Sequence, residues 1–381
     1  MPDEHRPKRL LFVQTQAEMA GAQEISRLLG TELSRTDKGH SAFDVHHLFL
    51  YRKSAGCDDF PNVHFAADSA PKGLMAALRF AFNTVRIIRQ IRPDVLLPFQ
   101  HYGNIVAAPI GRLLRVKRII ANHVSAPATI SPKVRLIDRW LGLAGFYDVM
   151  TVNSKQTLQD YADYPDRYKR RIVYVPHGFA DKTCTMPKAA ARSSFSLPVN
   201  APLIGTVARL HPLKQIDLAI GILSRLPHVH LAVAGQGPDA ERLKTIALEL
   251  GVAERLHMVG EISPGDIGRF LACLDVFVFP SAAETFGLAA VEAAQAGIPV
   301  VINGLPVLRE VLQVDGNPCA LFVNASDPAE FAAGVQELLT DPIRHEALSK
   351  QGRRLSSIYS LDAMVNHYRE LVLDLSQGHA P

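Results

Sequence analysis

No apolar run in this sequence approaches the ~20 residues that a helix needs to cross a membrane. A chain built around membrane-spanning helices is therefore excluded. The opening, Met-Pro-Asp-Glu-His-Arg-Pro-Lys-Arg, leads into no secretory-signal pattern, so a cytosolic location is expected. Cysteine is scarce: Cys57, Cys184, Cys273 and Cys319 stand far apart, without the paired spacing of a zinc or redox motif. They read as separate reduced thiols. Fixed-period repeats and low-complexity tracts are also lacking, which removes solenoids and disordered tails.

What is present is apolar substance and an uneven charge. Apolar residues make up 48% of 381, and a chain of that length splits into roughly two domains, each able to bury a core. The net charge of +4 divides into +9 for residues 1–180, with 25 Lys and Arg against 16 Asp and Glu, and −5 for residues 181–381. The basic half is expected to face an acidic partner. Residues 74–91 place Arg79, Arg86 and Arg89 among Phe80, Phe82, Ile87 and Ile88, with Arg92, Arg112, Arg115, Lys117 and Arg118 beyond. Two readings stay open here, an anionic membrane surface and a half-buried helix with solvated arginines. Nucleic acid is not expected, because no binding motif or aromatic-interleaved basic run accompanies the charge.

Short apolar runs alternate with helical patterns, the mark of parallel strands buried on both faces. Strands are expected at 10–13, 45–50, 95–99, 118–121, 149–152 and 172–175, and again at 203–208, 229–234, 256–259, 276–279, 300–302 and 320–323. The fold class is α/β, with two Rossmann-like, doubly wound parallel sheets. Turn formers without periodicity at 181–198 suggest an interdomain linker between a domain at 1–180 and one at 199–359. Residues 360–381 open on a helical pattern of Leu361, Met364, Tyr368, Leu371 and Val372.

The most informative segment is Pro280-Ser-Ala-Ala-Glu-Thr-Phe-Gly-Leu-Ala-Ala-Val-Glu292, after the apolar run 276–279. A strand turning into a helix here makes the amides of Phe286, Gly287 and Leu288 an anion site. Glu284 and Glu292 flank it. Carboxylates repel phosphate, so they suit sugar hydroxyls better, and a nucleotide-sugar offers both groups. The bland alternative is a capping box, Ser281 to Glu284, opening an ordinary helix. Arg209 and Lys214 follow the run 203–208 and precede a helical pattern, where a cation opposes the helix dipole unless an anion is bound. A planar guanidinium and a point charge together suit a diphosphate.

The segment resembles the signature of the family-4 retaining glycosyltransferases, and the agreement runs from about residue 9 to about 375. The resemblance implies the GT-B architecture, two such sheets facing a cleft with the closing helix packed back on the first domain. It also implies transfer of a hexose from a UDP- or GDP-sugar, with retention, to a hydroxyl of a saccharide or lipid-linked acceptor, in cell-envelope polysaccharide or lipopolysaccharide synthesis. By position, Arg209 and Lys214 hold the donor diphosphate, Glu284 approaches the donor sugar, Glu292 accepts from the ribose, and His123 lies close to the reacting sugar. Phe286, Gly287, Leu288, Gly21, Gly235 and Val259 join the donor side; His101 and Gln14 are acceptor-side candidates. No cofactor and no metal are expected, since the adjacent acidic pair Asp58-Asp59 lacks a strand-end context. Where the family has a Gly-Gly-x-Pro-Glu-like loop, this chain reads Asn303-Gly-Leu-Pro-Val-Leu-Arg-Glu310. An epimerase or sugar phosphorylase of similar fold is an alternative, as is a catalytically silent nucleotide-sugar-binding subunit. Gly235-Gln-Gly237-Pro-Asp-Ala240 also fits a dinucleotide fingerprint, which would make the chain an NAD-dependent oxidoreductase.

Overall fold

The computed structural model describes residues 6–18, 20–36, 43–54, 56–125 and 130–374; residues 375–381 of the expected closing segment lie outside these. The chain forms two compact units, residues 1–178 with 361–381, and residues 179–360.

In the first unit, seven strands run β1 (Arg9–Ala17), β2 (Asp44–Arg52), β3 (Val63–Phe65), β4 (Val95–Pro98), β5 (Arg118–His123), β6 (Val149–Val152) and β7 (Ile172–Tyr174). Their order is β3-β2-β1-β4-β5-β6-β7, every pairing parallel. Parallel pairing requires a crossover between successive strands, and helices cover both faces, so the strands read as continuous apolar runs. Leu11, Val13, Leu96 and Ile119 are fully buried in one core with Tyr147 and Tyr168. β1 runs four residues past its expected end because Gln14, Gln16 and Ala17 keep pairing with Phe49, Tyr51 and Arg52. The helix Leu361–Leu373 belongs to this unit. Its Tyr368 donates to Asn122 Oδ1 at 2.6 Å, and Arg369 lies over the Phe43 ring.

The second unit holds β8 (Leu203–Val207), β9 (His230–Ala234), β10 (Leu256–Gly260), β11 (Val276–Phe279), β12 (Val300–Asn303), a hairpin of β13 (Gln313–Val314) and β14 (Asn317–Pro318), and β15 (Leu321–Val323). The sheet order is β10-β9-β8-β11-β12-β15, again all parallel. Successive connections leave β8 toward β9 on one side and return to β11 on the other. β8 and β11 therefore flank the switch point where such sheets bind ligands.

The stretch expected as a linker is not one. The boundary falls between Gly178 and Phe179, and residues 181–198 include the helix Lys188–Ser194. Arg192, only 3% exposed, donates to the carbonyls of Cys273, Val199 and Ala201 and to Asp275 Oδ2 at 2.7 Å. Burial pushes the Asp275 carboxyl up, but Lys188, the Leu203 amide and Arg192 outweigh it and hold it below the usual range. Replacing Arg192 with alanine strands that carboxylate and frees several buried carbonyls. The expected loss is about 3 kcal/mol, read by urea unfolding; a loss below ~0.5 kcal/mol, the ordinary surface value, would contradict this account.

Candidate functional site

In the second unit the segments after β8 and β11 meet. Pro212–Lys214 forms a single 3-10 turn, capped by His211, whose Nδ1 accepts from the Leu213 amide. The Ala282 amide donates to Leu213 O at 2.9 Å and ties the two loops together. Lys214 Nζ then reaches Glu284 Oε1 at 2.5 Å and lies 5.6 Å from the Phe279 ring centre. Arg209, half-buried, leaves the end of β8 beside this turn.

The capping-box reading fails. The helix after β11 starts at Leu288, with Gly287 as its N-cap in the left-handed region (φ +84°) and no side chain capping it. Glu284 lies in the preceding loop, and Ser281 Oγ is buried without a partner. A side chain at 287 would meet Leu308 Cδ2 at 2.5 Å as well as the strain of positive φ. Phe286 is 1% exposed, its ring against Phe179 and Tyr359, so its side chain serves the core. Glu292, in the helix's second turn, stands 3.9 Å from Lys182 Nζ, which also donates to Pro264 O. Lys182 was missed from sequence because it lies in the supposed linker. Asn303, in the loop that departs from the family pattern, donates to Ser281 O at 3.0 Å and so braces the same segment.

Gly235 and Gly237 end β9 at φ +135° and +159°. A Cβ at Gly235 would stand 2.0 Å from Ala208 O, and one at Gly237 2.2 Å from Leu210 O. Both glycines are needed to seat this turn on the backbone that bears Arg209, which accounts for them without a dinucleotide. Val259 borders the same edge at the end of β10, whose Gly260 O accepts from the Gly235 amide at 2.7 Å.

The first unit brings together a different set. His123 ends β5 and His101 lies in the first turn of the helix Gln100–Leu113, their rings edge to face at 5.0 Å. His123 Nδ1 is 2.9 Å from Tyr161 Oη, while Tyr147 and Tyr168 donate to the two oxygens of buried Asp138 at 2.9 Å. Burial raises the Asp138 carboxyl, and burial likewise raises all three phenols well above their usual range. One atom from each of His101, His123 and Asp138 lies within 4.8 Å of the others, a spacing that admits a cation. The tyrosines already engage both carboxylate oxygens and His123 Nδ1. Tyr161 lies in a turn, Tyr168 in the short helix Asp166–Lys169, and no sequence period links them; Asp138 likewise gave no signal.

Gln14 is placed otherwise than expected. It is fully buried and donates to Ala22 O and to Ser26 Oγ, which spends its amide on anchoring the helix Gly21–Leu33. Its Oε1 is buried without a partner. Gly21 opens that helix without a capping side chain.

Residues 187–355 match the family model of glycosyl transferases group 1. The chain is 31% identical over 239 residues, 60% of its length, to the D-inositol 3-phosphate glycosyltransferase of Mycolicibacterium gilvum. It is 30% identical over 173 residues, 45% of its length, to the O-antigen biosynthesis glycosyltransferase WclY of Escherichia coli. The matched region covers 53% and 48% of those two proteins, so the chain spans about half the length of the curated relatives it matches. Among solved structures, Anabaena Alr3699/HepE in complex with UDP and glucose superposes with a TM-score of 0.81 at 17% identity, over 96% of this chain and 99% of that one. WaaG, a glycosyltransferase involved in lipopolysaccharide biosynthesis, gives 0.74 at 14%, over 97% and 100%. The fold is GT-B.

Burial holds His47, His101, His123 and His177 each down to about 3. These values lie below the ~6.5 of an unfolded histidine, so unfolding takes up protons in acid. Their contribution to stability is complete above pH ~6.5 and is lost progressively as pH falls toward 3. Asp138, raised by burial, opposes the trend only where it protonates. Calorimetry from pH 8 to 4 should show a level midpoint down to about pH 6.5 and then a steep fall. A midpoint level to pH 4.5 would contradict the neutral, buried assignment.

Proposed function

From the membership of residues 187–355 in glycosyl transferases group 1, we propose that the chain transfers a hexose from a UDP- or GDP-linked sugar to a hydroxyl of a saccharide or lipid-linked acceptor, with retention at the anomeric carbon. The cellular setting is cell-envelope polysaccharide or lipopolysaccharide synthesis at the cytoplasmic side of the membrane. Among the described residues no helix is long and apolar enough to cross a membrane. The O-antigen relative and the lipopolysaccharide glycosyltransferase of like fold support the pathway, and the UDP held by the Anabaena protein supports the donor class.

One observation carries the reading. At the switch point of the second sheet, Arg209 and Lys214 stand on one side and Glu284 and the Gly287 helix start on the other, with Lys214 and Glu284 in contact at 2.5 Å. A donor diphosphate takes the cations; Glu284, released from Lys214, accepts hydroxyls of the sugar, and Glu292 those of the ribose. The acceptor oxygen bonds to the anomeric carbon on the face the diphosphate leaves. The electron pair of the breaking bond goes with the diphosphate, whose oxygen takes the acceptor's proton. Arg209, Lys214 and the uncapped helix start stabilise the departing charge, and no metal is needed for that task. No carboxylate is required as nucleophile.

Because Glu284 and the diphosphate compete for Lys214, Glu284→Gln should affect two ligands in opposite directions. Titration calorimetry is expected to show free UDP or GDP binding about fivefold more tightly, equivalent to ~1 kcal/mol for a partly exposed pair, while the nucleotide-sugar binds more weakly and transfer falls at least about a hundredfold. Glu292→Ala should weaken both. Equal loss of both ligands in Glu284→Gln would refute the competition; thermal stabilisation by NAD alone would refute the transferase.

A further inference from the structure

The helix Leu74–Ile91 exposes what soluble helices hide. Leu74, Met75, Leu78 and Phe82 are between 56% and 78% exposed, while Thr84, Ile87, Ile88 and Ile91 face the core. At about 100° per residue, the exposed four share one arc of roughly 140° with Val85, Arg79, Arg86 and Arg89. The apolar residues dominate the N-terminal half of that arc and the arginines the C-terminal half. From residue 69 to residue 93 the chain has five basic residues and no acidic one. Arg86, Arg89 and Arg92 are exposed, and their guanidiniums form no hydrogen bond or ion pair with the described residues. With Arg9, Phe82, Val85 and Gln90 they line a cavity of about 510 Å³. Arg9 is already engaged by Asp44 and Ile91 O; the other three guanidiniums point no bond at the protein.

We propose that this helix face is a docking surface for an anionic phospholipid bilayer, with Arg86, Arg89 and Arg92 holding a lipid phosphate and Leu74, Met75, Leu78 and Phe82 entering the acyl boundary. Three unpaired guanidiniums around one cavity match the phosphate of a headgroup, which accepts paired hydrogen bonds from a planar fork. Free phosphate would satisfy the arginines but leave the exposed apolar row without a use, and a row of that kind in water is a contact surface in waiting. A lipid answers both halves of the arc. The surface gives the membrane-side location proposed above a physical anchor, yet it rests on this helix alone and stands whether or not the transferase reading holds.

The test is co-sedimentation of the full chain with vesicles of phosphatidylcholine alone or mixed with phosphatidylglycerol, alongside thermal shifts with inorganic phosphate. Wild type is expected to bind the mixed vesicles and not the neutral ones, with binding weakened by salt. Arg86→Gln with Arg89→Gln and Arg92→Gln should lower the partition at least about tenfold and remove the salt dependence. Leu78→Ser with Phe82→Ser should lower it while keeping the salt dependence. These positions are exposed, so unchanged thermal midpoints will show that each variant is folded. Equal binding to both vesicle types, or variants that bind like wild type, would overturn the proposal. So would stabilisation by inorganic phosphate without any vesicle binding, which would assign the cavity to a soluble anion.

Discussion

Parallel pairing is the constraint on which the rest depends. A parallel sheet sends every strand's carboxyl end to the same edge, and its crossovers oblige helices to cover both faces. In the second unit this puts Arg209 and Lys214 after β8, Gly235 after β9, Val259 at the end of β10 and Glu284 after β11 along one rim. Residues up to 75 positions apart in sequence thus come to one rim without any long-range side-chain design. The reversal of strand order at β8 opens the space between the two loops. The two glycines of the β9 turn close it from the side by seating directly on backbone.

Electrostatics then sets the state of that rim. Arg209, Lys214, Glu284 and Glu292 are all at intermediate exposure; Lys214 joins Glu284, and Glu292 stands near Lys182. On the proposed reading, a bound donor exchanges the Lys214–Glu284 pair, whose side chains are 26% and 11% exposed, for contacts of its own. A diphosphate with hydroxyls attached gains twice from the exchange, at the cation and at the carboxylate. Free nucleotide gains once. On the proposed reading, the pair that recognises the donor also favours release of the spent nucleotide.

The sheets, and the position of Arg209 and Lys214 just beyond β8, were legible in the sequence because both are local. Val276-Phe-Val-Phe279 is buried at every position, as an apolar run in a parallel sheet must be, and Arg209 with Lys214 needs only the strand before them. β3 was not legible: three half-buried residues carry too little pattern. The helix Lys188–Ser194 was hidden among turn formers, and what fixes it is Arg192 reaching Asp275 across 83 positions. Gln14 was misplaced for a related reason, since β1 continues beyond the apolar run on the strength of pairing with β2. The tyrosines around His123 come from segments the strand pattern does not mark, and only the packed core brings them to one carboxylate.

The most direct test of the account is a crystal structure of the full chain with UDP or GDP bound. The account predicts Lys214 Nζ within hydrogen-bond distance of the diphosphate, at about 2.7–3.0 Å, with Arg209 on the same group and Glu284 turned away from Lys214. A nucleotide bound with Lys214 still paired to Glu284, or with its phosphates away from the ends of β8 and β11, would contradict it.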